Sequence, residues 1–144
     1  MNLSKMDKPL DAIIIDDERM ARQELLRLLK KHPNINIVAQ AENIDQGYDE
    51  IKKHQPDIIF LDIEMPGGTG LTLAEKLQGE IPIVFCTAYD EFAVDAFALN
   101  AIDYLVKPLV PERLAETINK FSARDVVSED TRLNDDFKLM VKFG

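Results

Sequence analysis

An α/β fold is predicted for this chain of 144 residues on three observations. Five short apolar runs alternate with segments of helical length and spacing. The runs are almost continuous in Ile, Leu, Val and Phe, as strands of a parallel sheet covered on both faces are. Charged groups follow three of them: Asp16-Asp17 after LDAIII, Asp62 after DIIFL and Lys107 after DYLV. In a parallel sheet those strand ends share one edge. Asp17, Asp62 and Lys107, each 45 residues from the next, would then meet there.

Leu10 to Ile15 reads as a buried strand. Glu18 to Lys31 carries Ala21, Leu25, Leu28 and Leu29 at helical spacing, and His32-Pro33-Asn34 stops it. Ile35 to Ala41 alternates, which suits a strand near the sheet edge. Asn43 is placed to cap a helix whose apolar face is Ile44, Gly47, Tyr48 and Ile51, ending at Gln55-Pro56. Asp57 to Leu61 is the most uniformly apolar run and is expected to be central. Met65 to Gly70 is a loop rich in turn residues, followed by a helix over about 71–77. Pro82 opens a strand ending at Thr87. Residues 90–99 form a helix, Asp103 to Val106 the fifth strand, and Pro111 the first turn of a helix running to about Phe121.

This order is βαβαβαβαβα, with right-handed crossovers expected. It predicts a flavodoxin-like (βα)5 three-layer sandwich around a five-stranded parallel sheet of order 2-1-3-4-5. Residues 1–121 form one domain. Residues 122–136 are rich in acids, Ser and Asn and read as a linker. In 137–144, FKLMVKFG alternates like a half-buried strand, the expected start of a truncated output domain.

Charge narrows the functions. With 26 acids against 17 bases the net charge is -9, so the bulk surface will not grip nucleic acid. One cysteine excludes an internal disulfide framework, and Cys86 in IPIVFC reads as core. No run approaches the roughly 18 apolar residues a bilayer span needs, and MNLSKMDKPL lacks a secretory core. A cytoplasmic setting is expected, without membrane contact. His32 and His54 read as surface residues at helix ends.

The acids and the lysine suit one chemistry. Asp16 and Asp17, together with Asp62, offer the hard oxygen ligands that magnesium takes. An Asp pair before a helix also suits capping and the helix dipole; the joint pattern favours the cation. Asp62 is the candidate nucleophile for an acyl phosphate. Lys107 is placed to pair with a phosphoryl oxygen and Thr87 to donate a hydroxyl hydrogen bond.

The segments IIIDDE at 13–18, IIFLDIEMPGGTG at 58–70 and FCTAYDEFAVDAFALNAIDYLVKP at 85–108 resemble the response-regulator receiver domains of two-component signalling. The likeness covers residues 10 to about 121. TAYDEFAVDAF and NAIDYLVKP further resemble receivers attached to LytTR-type DNA-binding domains. The resemblance implies that Asp62 is the phosphoacceptor, fed by a cognate sensor histidine kinase. It implies magnesium on Asp16, Asp17, Asp62 and the backbone carbonyl of Glu64. Thr87 and Lys107 become the switch hydroxyl and phosphate-binding base, Tyr104 the aromatic that reorients, and Lys107-Pro108 a cis peptide. Glu64 and Tyr89 take the positions that tune phosphoryl loss. Such a protein phosphorylates and dephosphorylates itself without conventional turnover, and reaches DNA only through an output domain.

Two other classes share part of this pattern. A haloacid dehalogenase-type phosphatase needs a second Asp two positions after the nucleophile, where this chain has Glu64, and a cap domain. A degenerate receiver acting only as a binding module would not need Asp16, Asp17, Asp62, Thr87 and Lys107 together. The 90–99 segment is apolar on more than one side, which predicts a partner surface. The resemblance makes that partner a second copy, with dimerisation promoted by phosphorylation.

Overall fold

The computed structural model describes residues 8–130. Five strands form one parallel sheet: β1 (Leu10–Ile15), β2 (Ile35–Ala41), β3 (Ile58–Leu61), β4 (Ile83–Thr87) and β5 (Asp103–Val106). Their order is β2-β1-β3-β4-β5, the 2-1-3-4-5 arrangement expected from the sequence. The helices between and after them are α1 (Arg19–Leu29), α2 (Ile44–His54), α3 (Gly70–Leu77), α4 (Ala93–Ala98) and α5 (Pro111–Asp130).

Alternation along the inner strands makes three layers, because successive strand residues point to opposite faces. On one face Ala12, Ile14, Ile58, Phe60, Val84 and Cys86 pack with Leu25 and Leu28 of α1 and with Leu114, Ile118 and Phe121 of α5. On the other, Ile13, Ile15, Ile59, Leu61 and Phe85 pack with Ile51 of α2, with Leu73 and Leu77 of α3, and with Ala96 of α4. Strands used on both faces must be apolar where they are covered, which is why β3, and β1 apart from Asp11, read as unbroken runs. Asn43 caps α2 by accepting from the Gln46 N–H at 2.8 Å, and Thr69 caps α3 by accepting from Thr72 at 3.2 Å.

Three details differ from the sequence expectation. The Met65–Gly70 loop contains a small antiparallel ribbon, Glu64–Met65 against Gly68–Thr69. The helix expected over 90–99 is shortened to Ala93–Ala98. Asp90 to Phe92 instead form the descent from β4, with Phe92 half-buried against the sheet and edge-on to Tyr89. At the other end Asn100, with φ 63°, turns the chain. The last helix continues past Phe121 to Asp130. Its polar composition suggested an end, but Ser122 to Asp130 contains neither Gly nor Pro, so nothing stereochemical stops it. The strand expected in 137–144, and residues 131–136 of the expected linker, lie outside the described residues. Among the described residues no helix is long and apolar enough to cross a membrane.

Candidate functional site

Strand register assembles the site. Ile15 pairs with Leu61, so Asp16 and Asp62, the next residues, leave the sheet side by side. Leu61 pairs with Phe85, two residues before Thr87, and Thr87 pairs with Val106. Lys107 therefore emerges beside Thr87, its N–H donating to the Thr87 carbonyl at 2.7 Å. The ends of four strands thus deliver Asp16, Asp62, Thr87 and Lys107 to one edge.

The acids meet closely. Carboxylate oxygens of Asp16, Asp17 and Asp62 all lie within 4.8 Å of one another. Asp16 and Asp62 are buried, and Asp17 is half-exposed at the rim. Lys107 Nζ donates to Asp16 Oδ2 at 2.7 Å and to Asp62 Oδ2 at 3.3 Å. Three carboxylates against one ammonium leave a local charge of about -2, a deficit that a divalent cation would cancel. The other carboxylate oxygens accept backbone N–H groups: Asp16 Oδ1 from Glu18 at 2.9 Å and Asp62 Oδ1 from Ile63 at 2.7 Å. A cleft of about 680 Å³ opens beside Asp17, lined in part by Glu42, Asn43 and Pro66.

Burial and crowding set the protonation tendencies. Burial raises the Asp62 carboxyl above its usual range; Asp16 adds to this, while Lys107 and the Ile63 N–H offset only part. Burial by itself would lower the Lys107 ammonium, but its hydrogen bond to Asp16 and the charges of Asp62 and Asp16 outweigh that and raise it. Lys107 is therefore a fixed cation at neutral pH.

The remaining candidates fall around this centre. Thr87 is fully buried, and its Oγ1 accepts from the Tyr89 N–H at 3.4 Å. Tyr104 on β5 is half-buried, its ring centroid 6.3 Å from that of Phe85 and its hydroxyl donating to the Tyr89 carbonyl. The Lys107-Pro108 peptide is cis. Glu64 is exposed in the ribbon directly after Asp62 and Ile63. Cys86 is buried, as its apolar context implied, and burial pushes its thiol far up, which leaves it inert. His54 pairs with Glu50 on the surface of α2, away from the site.

Two features were not read from the sequence. Arg22 Nη1 donates to the Asp16 backbone carbonyl at 2.7 Å, tying α1 to the acidic pair. Its place one turn into α1 was the available signal. Asp103 is gripped by α5: its carboxylate accepts from Arg113, Thr117 and Lys120 as well as from the Tyr104 N–H. The spacing of those three α5 residues, on one helix face, was the signal there.

The model of the response regulator receiver domain matches residues 12–119. An uncharacterised response regulatory protein of Yersinia pestis is 48% identical over 120 residues, covering 82% of this chain and 50% of that protein. The sensory transduction protein LytT of Bacillus subtilis is 39% identical over 126 residues, covering 84% of this chain and 52% of LytT. The chain thus spans about half the length of the curated relatives it matches. Among solved structures, the response regulatory domain of mrkE from Klebsiella pneumoniae superimposes with a TM-score of 0.75 at 34% identity, over 80% of this chain and 97% of that one.

Proposed function

The chain belongs to the response regulator receiver domain family, and from that premise we propose that Asp62 accepts a phosphoryl group from a sensor histidine kinase. The observation that carries this reading is the triad of Asp16, Asp17 and Asp62, gathered within 4.8 Å with Lys107 bonded to two of its members. In the reaction an Asp62 carboxylate oxygen attacks phosphorus, the bond from phosphorus to the donor imidazole nitrogen breaks, and an acyl phosphate forms. Lys107 is already charged and within reach of Asp62, so it can shift from the carboxylates to a phosphoryl oxygen without gaining a proton. Thr87 follows with its hydroxyl.

Magnesium fits the donor set, since all three candidate side-chain ligands are carboxylate oxygens crowded closely enough to share one ion. Asp16, Asp17 and Asp62 would hold it, with the Glu64 carbonyl as a fourth ligand. When bound it supplies charge neutralisation of the incoming phosphoryl oxygens. Intact-mass analysis after incubation with a small phosphodonor tests the function: one phosphoryl group should be gained with magnesium and none with chelator. Gain independent of a divalent ion would refute the metal assignment. Asp17→Asn should weaken magnesium binding by at least about tenfold, since it removes a full charge from the rim of the site. Titration of the metal-dependent phosphorylation rate checks this.

We further propose that the receiver controls a C-terminal DNA-binding output domain of the LytTR type. The support is the TAYDEFAVDAF and NAIDYLVKP segments, the LytT relative and the length of such relatives, about twice the matched span. The acidic receiver would stay off the DNA.

Phosphorylation would switch a dimer surface on α4, β5 and α5. In support, α4 buries Ala96 and leaves Val94 79% and Phe97 84% exposed, with Val106 and Val110 exposed beyond it. The route would run from Thr87 through the 87–91 segment to Tyr104, as a shift between two packings. Phe97→Glu should weaken phosphorylation-promoted association by at least about tenfold, as loss of an apolar anchor does. It should leave the phosphoryl gain at Asp62 intact. Sedimentation with and without a stable phosphoryl mimic checks the first, and intact mass after phosphodonor treatment checks the second. An unchanged dimer constant in Phe97→Glu would remove α4 from the interface.

A further inference from the structure

We infer that Gly70 is a positioning residue for the phosphoacceptor, holding the Asp62 backbone in place by having no side chain. The inference rests on the reading of Asp62 as the nucleophile. Gly70 is the first residue of α3 and is buried. A Cβ built there would lie 2.1 Å from the Asp62 carbonyl oxygen, and 3.0 Å both from the Asp62 carbonyl carbon and from Leu61 Cγ. The first contact is with backbone, so no rotamer change relieves it.

The other described glycines do different work. Gly67 and Gly79, with φ of 83° and 75°, have no atom within 4 Å of an added Cβ; they are glycines because of the left-handed turn. A Cβ at Gly47 would meet only side-chain atoms, Ile15 Cδ1 at 2.7 Å and its Cγ atoms at 3.3 Å, and no backbone. Gly70 has no left-handed φ, so contact alone demands it.

The surroundings convert that contact into a constraint. The Gly70 N–H donates to the Ile63 carbonyl at 2.8 Å, so the start of α3 is seated on residues 62 and 63 together. The Glu64–Thr69 and Met65–Gly68 pairs close the loop between. From the other side the Asp62 N–H donates to the Ile15 carbonyl at 2.9 Å, and Leu61 and Ile63 are fully buried. A methyl at residue 70 must therefore displace either α3 or the Asp62 backbone. Opening 2.1 Å to an ordinary contact beyond 3.0 Å requires about 1 Å. A misplacement of about 1 Å at a reacting group can cost on the order of 100-fold in rate. The same shift would move the adjoining ribbon that contains Glu64.

The test uses the whole chain with magnesium and a small phosphodonor. Gly70→Ala should lower the maximal phosphorylation rate by about 100-fold, with the donor concentration for half-maximal rate unchanged. Gly79→Ala, strained but open, should lose some thermal stability and phosphorylate at the wild-type rate. A folded Gly70→Ala protein within about twofold of the wild-type rate would overturn the inference. Should Gly70→Ala fail to fold, amide exchange of the unaltered protein decides. A Gly70 N–H protected like the β3 amides supports the seat on Ile63, and one exchanging like an exposed loop overturns it. A wild type that takes no phosphoryl group overturns the phosphoacceptor reading, and this inference with it.

Discussion

Asp62→Asn is expected to lose the acyl phosphate below detection under conditions that fully modify the wild type. The amide keeps the shape and one carbonyl oxygen for the Ile63 N–H, so the fold around it should persist. It cannot act as the carboxylate nucleophile. The substitution also relieves a cost. Burial raises the Asp62 pKa, so its ionised form is favoured less in the folded than in the unfolded chain. The contribution of Asp62 to stability should therefore fall as pH rises from about 3.9, the ordinary aspartate value, through the raised one. In metal-free buffer at neutral pH, Asp62→Asn should melt at or above the wild-type temperature. Intact mass and a thermal melt read both effects. A variant that still gains a phosphoryl group would remove Asp62 from the chemistry. One that melts well below wild type would show that the Asp62–Lys107 pair stabilises the fold.

The second large effect is on the fold itself. Asp103→Ala should lower stability by about 2–3 kcal/mol, roughly 30- to 150-fold in the folding equilibrium. The Asp103 side chain is only 8% exposed and accepts five hydrogen bonds, four of which tie β5 to α5. Those from Arg113 are 2.6 and 2.8 Å, a bidentate pair. The loss stays moderate because Arg113 and Lys120, at 41% and 54% exposure, can return to water. The buried Thr117 hydroxyl keeps its bond to the Arg113 carbonyl at 3.2 Å. Burial alone would raise the Asp103 carboxyl, but the bonds from Arg113, Thr117, the Tyr104 N–H and Lys120 hold it well below the usual range. A depressed carboxylate contributes fully above its unfolded pKa of about 3.9 and loses that contribution as pH falls toward the folded value. The difference between wild type and Asp103→Ala should thus be full at pH 7 and shrink in acid. Denaturant unfolding at both pH values checks it. A deficit below about 0.5 kcal/mol at pH 7, the ordinary range for surface changes, would contradict the account.

How much of this was legible in the sequence follows from what each feature depends on. β1 and β3 are covered on both faces, so their burial is written as continuous Ile, Leu and Phe. Asp16, Asp17, Asp62 and Lys107 stand just past such runs, and a parallel sheet leaves them one edge to share. The two-residue ribbon strands at 64–69 are too short to carry any periodicity. Gly70 sits in PGGTG, where each glycine looks like a turn residue; its real partner, the Asp62 carbonyl, is a tertiary contact. The spacing of Arg113, Thr117 and Lys120 groups them on one face of α5, but Asp103, which they share, is on a strand, so the link to it is tertiary. The end of α5 is not written at Phe121, because polar composition weakens packing without breaking a helix and 122–130 contains no Gly or Pro. The apolar character of 93–98 was legible, since Val94 and Phe97 are exposed on a helix that buries only Ala96 and whose one charged residue is Asp95.

Of three crowded carboxylates, one is proposed to receive the phosphoryl group. Reduction with borohydride converts an acyl phosphate at aspartate to homoserine and so marks the modified residue in a peptide map. After magnesium and phosphodonor treatment, homoserine is expected at Asp62, with Asp16 and Asp17 unchanged and no mark in chelator. Homoserine at Asp16 or Asp17, or a phosphoryl group that survives on another residue, would contradict it.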